Sequence, residues 1–256
     1  MIVPSMTHLE ICDALFADKP KLDFKREQLR PRIVKLFKKD NRFPAWHYEE
    51  YVHQASRNRY LIWFYAASRH GADNPDTGFI AFLEAAGEKV VIRWGTWGYR
   101  LPETTEYIAT RTIAFYSHHF FNRYRERIWQ DTDISFYELL CRYFSRNQQT
   151  IPVKMNEDIK RGYQEHGEEA LYSFKVTDGI CYIRSWCEGD ITTVGSRQSD
   201  YITVVAYITF VDCDTMTDGQ NAAIKEAEQE YIKGYYRSLC HDEIAEKNRQ
   251  ILYNNQ

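Results

Sequence analysis

The segment FIAFLEAAGEKVVIRWGTW, residues 79–97, is the part of the sequence that most directly indicates the fold. Two runs rich in aromatic and β-branched residues, FIAFLEAA and VVIRWGTW, flank the tripeptide Gly87-Glu88-Lys89. A short connection that contains glycine between two such runs is typical of an antiparallel hairpin. The segment therefore predicts two paired strands.

Similar runs lie on both sides of this hairpin. YLIWFYAAS precedes it and EYIATRTIAFY follows it, so four mostly antiparallel strands are predicted between about residues 59 and 116. Three more strand-like runs occur later in the chain: ALYSFKV, ICYIRSWC and YITVVAYITFV. Between the last two, residues 191–194 are a further short candidate.

In the other segments the apolar residues recur at helical spacing. Before the strands, helices are predicted at residues 7–17, within the basic stretch 19–42 and at residues 46–57. Pro31 is placed in the first turn of the second helix. The basic stretch has a local charge of about +7, which fits a solvated helix or a phosphate-binding one.

Three more helices are predicted after residue 117, followed by one at the C-terminus. They cover residues 118–128, residues 134–147 with Asp131 or Asp133 as the N-cap, and a short acidic segment near residues 155–169. A long helix, capped by Thr217 or Asp218, is predicted to run nearly to the end. Its apolar stripe consists of Ile224, Ala227, Tyr231, Tyr235 and Leu239.

The order of helices, strands, helices, strands and helix predicts an α+β protein, with antiparallel sheet flanked by helices and a long C-terminal helix. Residues 1–58 are predicted to be a helical N-terminal segment packed on a main domain of residues 59–256. A single domain over residues 1–256 is the alternative, since 256 residues fit either arrangement.

Composition limits the class of protein. The net charge of −3 argues against nucleic-acid binding over the whole surface, although a local basic patch remains compatible with it. The N-terminus has no basic leader and the longest apolar run, residues 60–67, is too short to cross a membrane, so a soluble, cytoplasmic protein is expected. The six cysteines form no CxxC pair, so buried reduced thiols are expected, with no metal and no cofactor.

The stretch SHHFFNRYRER, residues 117–127, collects two histidines and three arginines in a slightly acidic chain. On a helical wheel His119, Arg123 and Arg127 fall at i, i+4 and i+8 and share one strip. His118 and Arg125 point elsewhere, close to each other. We call residues 118–128 the His/Arg helix.

Cations stacked on one strip of a helix repel each other unless an anion lies against them. That anion is either a carboxylate of the protein, which makes the helix a structural brace, or an external phosphate or carboxylate. An imidazole beside guanidinium groups is also the equipment for metal-free phosphodiester cleavage. The catalytic candidates are His119, Arg123 and Arg127, with His118 and Arg125 as substrate-binding candidates.

The pattern H-x-x-x-R-Y-x-x-R on a helix, followed by a second helix and three strands, resembles small bacterial domains grouped with barnase-like and RelE-like ribonuclease toxins. The resemblance covers residues 117–212 and rests on His119, Arg123 and Arg127. Thr209, in the strand YITF, is the looser match to a threonine of that family's last strand. The resemblance implies RNA cleavage, with Thr209 at the substrate.

Three functions follow from these patterns. The first is a protein that acts on RNA or DNA through the His/Arg helix, and the second is a non-enzymatic interaction protein that binds a partner, or a second copy, through the C-terminal helix. The third is a small-molecule enzyme or binder with an aromatic pocket between sheet and helices.

Two smaller motifs have two interpretations each. Trp94, Trp97 and Tyr99 are either an exposed stacking platform or part of the core. Asp212 and Asp214 are either magnesium ligands or caps of a turn.

Overall fold

Nine strands form one sheet in the described part of the chain. The computed structural model describes residues 1–85, 87–100, 107–130, 133–154, 156–164, 172–189 and 201–233. The strand order is β1-β2-β3-β4-β5-β9-β8-β7-β6, and neighbours are antiparallel except for the parallel pair β5 and β9. The strands are β1 (Ala45–Val52), β2 (Arg59–Ala66), β3 (Asp76–Ala85), β4 (Glu88–Arg100), β5 (Tyr107–Tyr116), β6 (Ile151–Lys154), β7 (Tyr172–Val176), β8 (Gly179–Glu188) and β9 (Ile202–Asp212).

Helices cover both faces of this sheet, which confirms the α+β class. They are α1 (His8–Lys39), α2 (His118–Tyr124), α3 (Phe136–Arg146), α4 (Glu157–Gln164) and α5 (residues 218–233). Thr217 caps α5, because its hydroxyl accepts from the backbone of Gln220 while the Gln220 side chain accepts from the backbone of Thr217. The predicted continuation of this helix and the candidate strand at residues 191–194 lie outside the described residues.

The predicted hairpin is confirmed. β3 and β4 pair antiparallel, with Ala85 opposite Glu88. Gly87 lies in the turn with φ of 82°, a backbone conformation that favours glycine. β2 and β5 add to the two sides of this hairpin, which gives the four strands predicted between residues 59 and 116.

The N-terminal helices are one helix, so the predicted break near residue 18 is wrong. α1 begins at a capping box of Thr7 and Glu10 and continues through Pro20 and Pro31. Each proline removes a backbone hydrogen bond, but the buried stripe continues on both sides of it and holds the helix on the sheet. The buried apolar residues of α1 are Ile11, Cys12, Leu15, Leu22, Leu29, Ile33 and Phe37.

The helix predicted at residues 46–57 is also wrong, because this segment contains β1. All eight residues of β1 pair with β2, from Ala45 opposite Ala66 to Val52 opposite Arg59. The aromatic residues of the segment fit a helix face or a strand equally well, and pairing with a buried strand decides between them. The short edge strand β6 was not predicted, since four residues that include Pro152 carry little strand signal.

The sheet is the middle layer of three. Successive strand residues point to opposite faces, so Leu61 and Trp63 of β2 pack against α2 and α3 while Ile62 and Phe64 pack under α1. α4 and α5 cover the α1 side of the sheet's other half, over Ile180 and Tyr182 among others. No helix in the described residues is long and apolar enough to span a membrane.

Candidate functional site

The His/Arg helix is a central packing element of the core. α2 begins after Ser117, whose hydroxyl accepts from the backbone N–H of Phe120. Phe120, Phe121 and Tyr124 are fully buried against the sheet. The helix continues as a π-helical turn, Arg125–Trp129. The predicted helix is therefore confirmed, with its second half as a π-helical turn.

Two of the three catalytic candidates have protein partners. Arg123 pairs with the Glu126 carboxylate at 3.0 Å on the surface. Arg127 donates a hydrogen bond to the Phe210 carbonyl at 2.7 Å, and its Nε lies 3.9 Å from a carboxylate oxygen of Asp212. His119 is exposed. The arginines therefore have internal anions or acceptors, as the structural-brace interpretation requires.

The predicted substrate-binding residues do not converge on His119. The His118 ring packs on Phe136, with 5.6 Å between ring centroids. The Nε of Arg125 is buried and has no hydrogen-bond partner among the described residues. Thr209 pairs with Tyr182 and is buried on the other face of the sheet from α2, because the neighbouring Phe210 takes the α2 side. The predicted grouping of Thr209 with the His/Arg helix is therefore wrong.

A buried carboxylate ties α2, α3 and the turn between β7 and β8 together. Asp178 accepts from Tyr124 at 2.7 Å, from Arg146 at 2.5 Å and from Asn147 at 3.0 Å. Burial would raise the pKa of Asp178, but these hydrogen bonds and the Arg146 charge hold it below its ordinary value. All three partners belong to α2 or to α3 and its C-cap, so this network braces the helical layer.

A second buried carboxylate has a similar structural role. Asp18 accepts from Ser56 at 2.6 Å, from Asn58 at 2.8 Å and from Tyr60 at 2.6 Å. The Ser56 hydroxyl and Asp18 both approach Nδ1 of His53. A serine-hydrolase relay needs the serine on one ring nitrogen and the carboxylate on the other, so this group does not fit it.

Five of the ten basic residues in the stretch 19–42 pair with carboxylates. Its ion pairs are Lys19 with Asp23, Arg26 with Asp23 and Glu27, Arg30 with Glu27, Arg32 with Glu49, and Lys38 with Asp73. These pairs favour a solvated structural helix.

Asp212 caps the turn after β9, as the structural interpretation predicts. One of its carboxylate oxygens accepts from the backbone N–H groups of Asp214 and Thr215. Among the described residues no group of three or more histidine, cysteine or acidic side chains is placed to hold a metal ion.

The cysteine expectation is correct for three positions. Cys12, Cys141 and Cys181 are buried, and burial raises the pKa of Cys12 to about 11. Cys187 and Cys213 are exposed, contrary to the expectation.

A pocket lies on the α2 and α3 face of the sheet, beyond the C-terminal end of α3. Its volume is about 530 Å³. We call it the sheet-face pocket. Its walls and floor include Trp63, Arg93, Gly95, Thr112, Tyr116 and Phe144, and Asp76 and Gln148 are exposed at its rim. Pockets of this volume are typical of small-molecule sites.

Two buried polar groups in the sheet-face pocket have no hydrogen-bond partner, and one cation there has no ion pair, among the described residues. Trp63 is 3% exposed, and its indole N–H has no acceptor among the described residues. The buried hydroxyl oxygen of Thr112 is likewise without a partner there. The Arg93 guanidinium lies over the Phe144 ring at 4.8 Å from the centroid and forms no ion pair with a described residue. Buried polar groups without partners are uncommon in folded proteins.

The charge of Arg93 reaches into the core. Burial raises the pKa of the Tyr116 phenol well above its ordinary value, and the nearby guanidinium opposes part of this rise. Tyr116 stacks on Tyr207 with 4.0 Å between ring centroids. The pocket therefore places one cation beside two neutral, buried phenols.

One feature of the sequence is a signal for this pocket. Arg93 and Gly95 interrupt a run of apolar strand residues, and a charge or a glycine inside a strand often marks a site. Trp94 points to the α1 side, where it stacks on Phe79, so the core interpretation is correct for it. The side chains of Trp97 and Tyr99 lie outside the described residues.

Comparisons with known proteins leave the resemblance untested. A scan against protein-family models, a search of curated proteins and a search of solved structures each return no match to this chain. The likeness to ribonuclease toxins stays a prediction. The partner surface on the C-terminal helix also stays a prediction: Tyr231 is 42% exposed, and Tyr235 and Leu239 lie outside the described residues.

Proposed function

We propose that this chain is a ligand-binding protein and that its site is the sheet-face pocket, where Arg93 binds an anionic group. The observation that carries the proposal is that one pocket is lined by two unmatched buried groups, the Trp63 N–H and the Thr112 hydroxyl, and by a guanidinium, Arg93, without an ion pair to a described residue. Each of these groups is able to donate a hydrogen bond, and a carboxylate or phosphate supplies several acceptor atoms at one point.

The electrostatics support an anion over a neutral ligand. A guanidinium that is partly removed from water gains from an anion more strongly than an exposed one does. Arg93 is stacked on Phe144, which holds its planar fork in one orientation and reduces the entropy lost on binding. The Asp76 carboxylate at the rim is exposed, so water screens its repulsion of an anion.

The indole N–H signal of Trp63 offers a direct test. Protein labelled with ¹⁵N-tryptophan is titrated with sodium phosphate, acetate and benzoate at constant ionic strength, and Trp63→Phe identifies the signal. We expect at least one of these anions to shift the Trp63 signal and Arg93→Met to weaken that binding at least tenfold. Methionine keeps an apolar contact with Phe144 and removes the charge.

Arg123→Met is the matched control, because Arg123 is paired at the surface of the His/Arg helix. It is expected to leave the titration unchanged. The proposal is wrong if no anion shifts the Trp63 signal, or if Arg93→Met and Arg123→Met behave alike.

The second candidate is a nucleic-acid function of the His/Arg helix. The observation in its favour is that His119 is exposed and Arg123 retains 43% side-chain exposure four residues further along the helix. Because Arg127 is bound to the Phe210 carbonyl, phosphate contact is a better fit than cleavage. RNA is the expected partner, through the resemblance, and DNA is the alternative.

Labelled single-stranded RNA in EDTA tests this candidate, with His119→Ala and Arg123→Ala alongside the native chain. Binding that falls with salt and is weakened by Arg123→Ala supports it. RNA cleavage that His119→Ala abolishes supports the ribonuclease prediction itself. Absence of both binding and cleavage excludes the candidate for RNA, and the same measurement with single-stranded DNA completes the test.

A further inference from the structure

We infer that the ligand of the sheet-face pocket is a planar aromatic ring system that carries its anionic group at Arg93 and seats its ring over Gly95. This inference rests on the proposed function and names the class of ligand and the residue that selects it. Gly95 is the position that determines specificity, and Arg93 is the position that binds charge.

The size of the pocket requires more than an inorganic anion. Its volume of about 530 Å³ is in the range of sites that hold organic ligands. A phosphate or acetate held by Arg93 would leave most of that space to water. The ligand that uses the whole pocket therefore has an uncharged body beyond its anionic group.

Gly95 keeps the floor of the pocket open. A Cβ built on Gly95 meets no other atom within 4 Å, and its neighbour in β5 is Thr112, which also lines the pocket. A glycine inside a strand weakens the sheet, and a ligand that approaches the backbone is one reason to retain it. The space above this glycine is therefore available to a ligand.

Gly78 differs from Gly95 in the same sheet. A Cβ on Gly78 would lie 2.7 Å from the Trp63 indole, so the protein's own ring covers that glycine. Trp63 is the cross-strand neighbour of Gly78 and lies flat enough over it to fill the position of its missing side chain. At Gly95 no described side chain does this. A ring from the ligand would occupy the equivalent position there.

The shape of the floor favours a flat ligand. Gly95 and Ala114 place little or no side chain over the backbones of β4 and β5 between Arg93 and Thr112, and neighbouring strands lie in one gently twisted surface. A planar ring contacts most of such a floor, whereas a branched body contacts little of it. The Trp63 ring, whose N–H is unmatched, belongs to the wall beside this floor.

A series of variants at Gly95 tests the inference. Sodium phosphate, benzoate and adenosine monophosphate are titrated against native protein, Gly95→Ala and Gly95→Val, with the Trp63 indole signal as readout. Phosphate reports the anion site alone, and the two aromatic anions distinguish a carboxylate from a phosphate group. Gly71→Val is the matched control, since a Cβ on Gly71 also meets nothing within 4 Å and Gly71 lies outside the pocket.

We expect at least one aromatic anion to bind tenfold more tightly than phosphate. Gly95→Val should weaken that aromatic anion at least tenfold and Gly95→Ala less, while phosphate binding changes less than twofold. Gly71→Val should change none of the affinities. Circular dichroism confirms that each variant is folded, and Gly95→Ala carries the test if Gly95→Val does not fold.

Two results separate the possible failures. Phosphate or acetate binding that depends on Arg93, together with aromatic anions that bind no more tightly or are insensitive to Gly95→Val, overturns the inference and leaves the proposed function. Absence of any response of Trp63 to all anions overturns both.

Discussion

The His/Arg helix and the sheet-face pocket contain the same kind of cation in opposite circumstances. In the helix Arg127 donates to the Phe210 carbonyl and Arg123 pairs with Glu126. In the pocket Arg93 lies over the Phe144 ring and forms no ion pair with a described residue, and the unmatched Trp63 N–H lines the same pocket. The helix is rich in the residue types of a catalytic site and contains one unmatched buried donor, the Nε of Arg125. The pocket combines two unmatched buried groups with a cation that forms no ion pair with a described residue.

This difference shows that residue type alone is a weak guide to function. A cluster of arginines in a sequence indicates that anions are needed, but the protein can supply those anions itself. A binding site is distinguished by polar groups whose partners are missing, and only the folded chain shows which groups these are. Variants in the two regions can therefore show whether the helix is a structural brace and the pocket is a binding site.

The largest effect is expected from Asp178→Ala, within the brace. The change leaves Arg146, Tyr124 and Asn147 without their shared acceptor. Removing one partner of a buried ion pair costs about 3–5 kcal/mol. The Arg146 side chain is 39% exposed, so we expect the lower value of this range. The free energy of unfolding, measured by urea denaturation, should fall by about 3 kcal/mol.

Asp76→Ala is the control for this measurement, because Asp76 is an exposed aspartate at the rim of the pocket. Its expected effect is within about 0.5 kcal/mol. Equal losses in the two variants would contradict the assignment of Asp178 as the carboxylate that braces the helices.

Arg127→Met should have the next largest effect. It leaves the Phe210 carbonyl without its donor and removes a charge beside Asp212. Hydrogen bonds to charged groups contribute about 1.5–3 kcal/mol, and partial exposure of Arg127 places the expected loss near the lower value. Arg93→Met, measured in the same urea series, should change stability by less than about 0.5 kcal/mol because no described carboxylate depends on Arg93. A larger loss for Arg93→Met than for Arg127→Met would reverse the comparison.

Much of the fold could be predicted from the sequence because its strong signals are local. The hairpin at residues 79–97 combines two strand-like runs with a glycine turn, and α2 and α3 each have a single apolar stripe. The two wrong predictions, a helix break near residue 18 and a helix at residues 46–57, have one cause. Propensity favours a break at Pro20 and tolerates helix at β1, but packing against the sheet overrides both.

The site was harder to predict, because it depends on what surrounds each residue. Helical spacing placed His119, Arg123 and Arg127 on one strip, but it could not show the Phe210 carbonyl that accepts a hydrogen bond from Arg127. Thr209 was matched through the resemblance, which does not show the face to which its side chain points. The register of β8 and β9 in the sheet sets that face. Arg93 and Gly95 stood inside a correctly predicted strand, and only the folded structure shows the space beside them.

Acid should weaken the two hydrogen-bond networks around Asp178 and Asp18. Burial raises the pKa values of Asp178 and Asp18, but hydrogen bonds outweigh burial and leave both below their ordinary values in the folded state. The two carboxylates stabilise the folded state fully above the pKa of an aspartate in the unfolded chain, about 3.9. This stabilisation is lost as the pH falls through their pKa values in the folded state. Each carboxylate contributes at most about 1.4 kcal/mol per pH unit in that window.

Urea denaturation between pH 6 and pH 3 measures this loss. Asp18→Asn should unfold with a shallower dependence on pH below about pH 4 than the native chain, because one titrating brace is gone. An unchanged slope in this variant would mean that Asp18 does not contribute through its charge.

The smallest effect is expected from His119→Ala, and it is the sharpest test of the helix as a brace. His119 is exposed, so its removal should change the free energy of unfolding by less than about 0.5 kcal/mol. The response of the Trp63 signal to anions should also stay the same, because the pocket does not include His119. If His119→Ala instead abolishes an RNA cleavage activity of the native chain while stability is unchanged, then an exposed imidazole works beside partnered arginines. Unmet hydrogen bonding would then be the wrong criterion for choosing between the two regions.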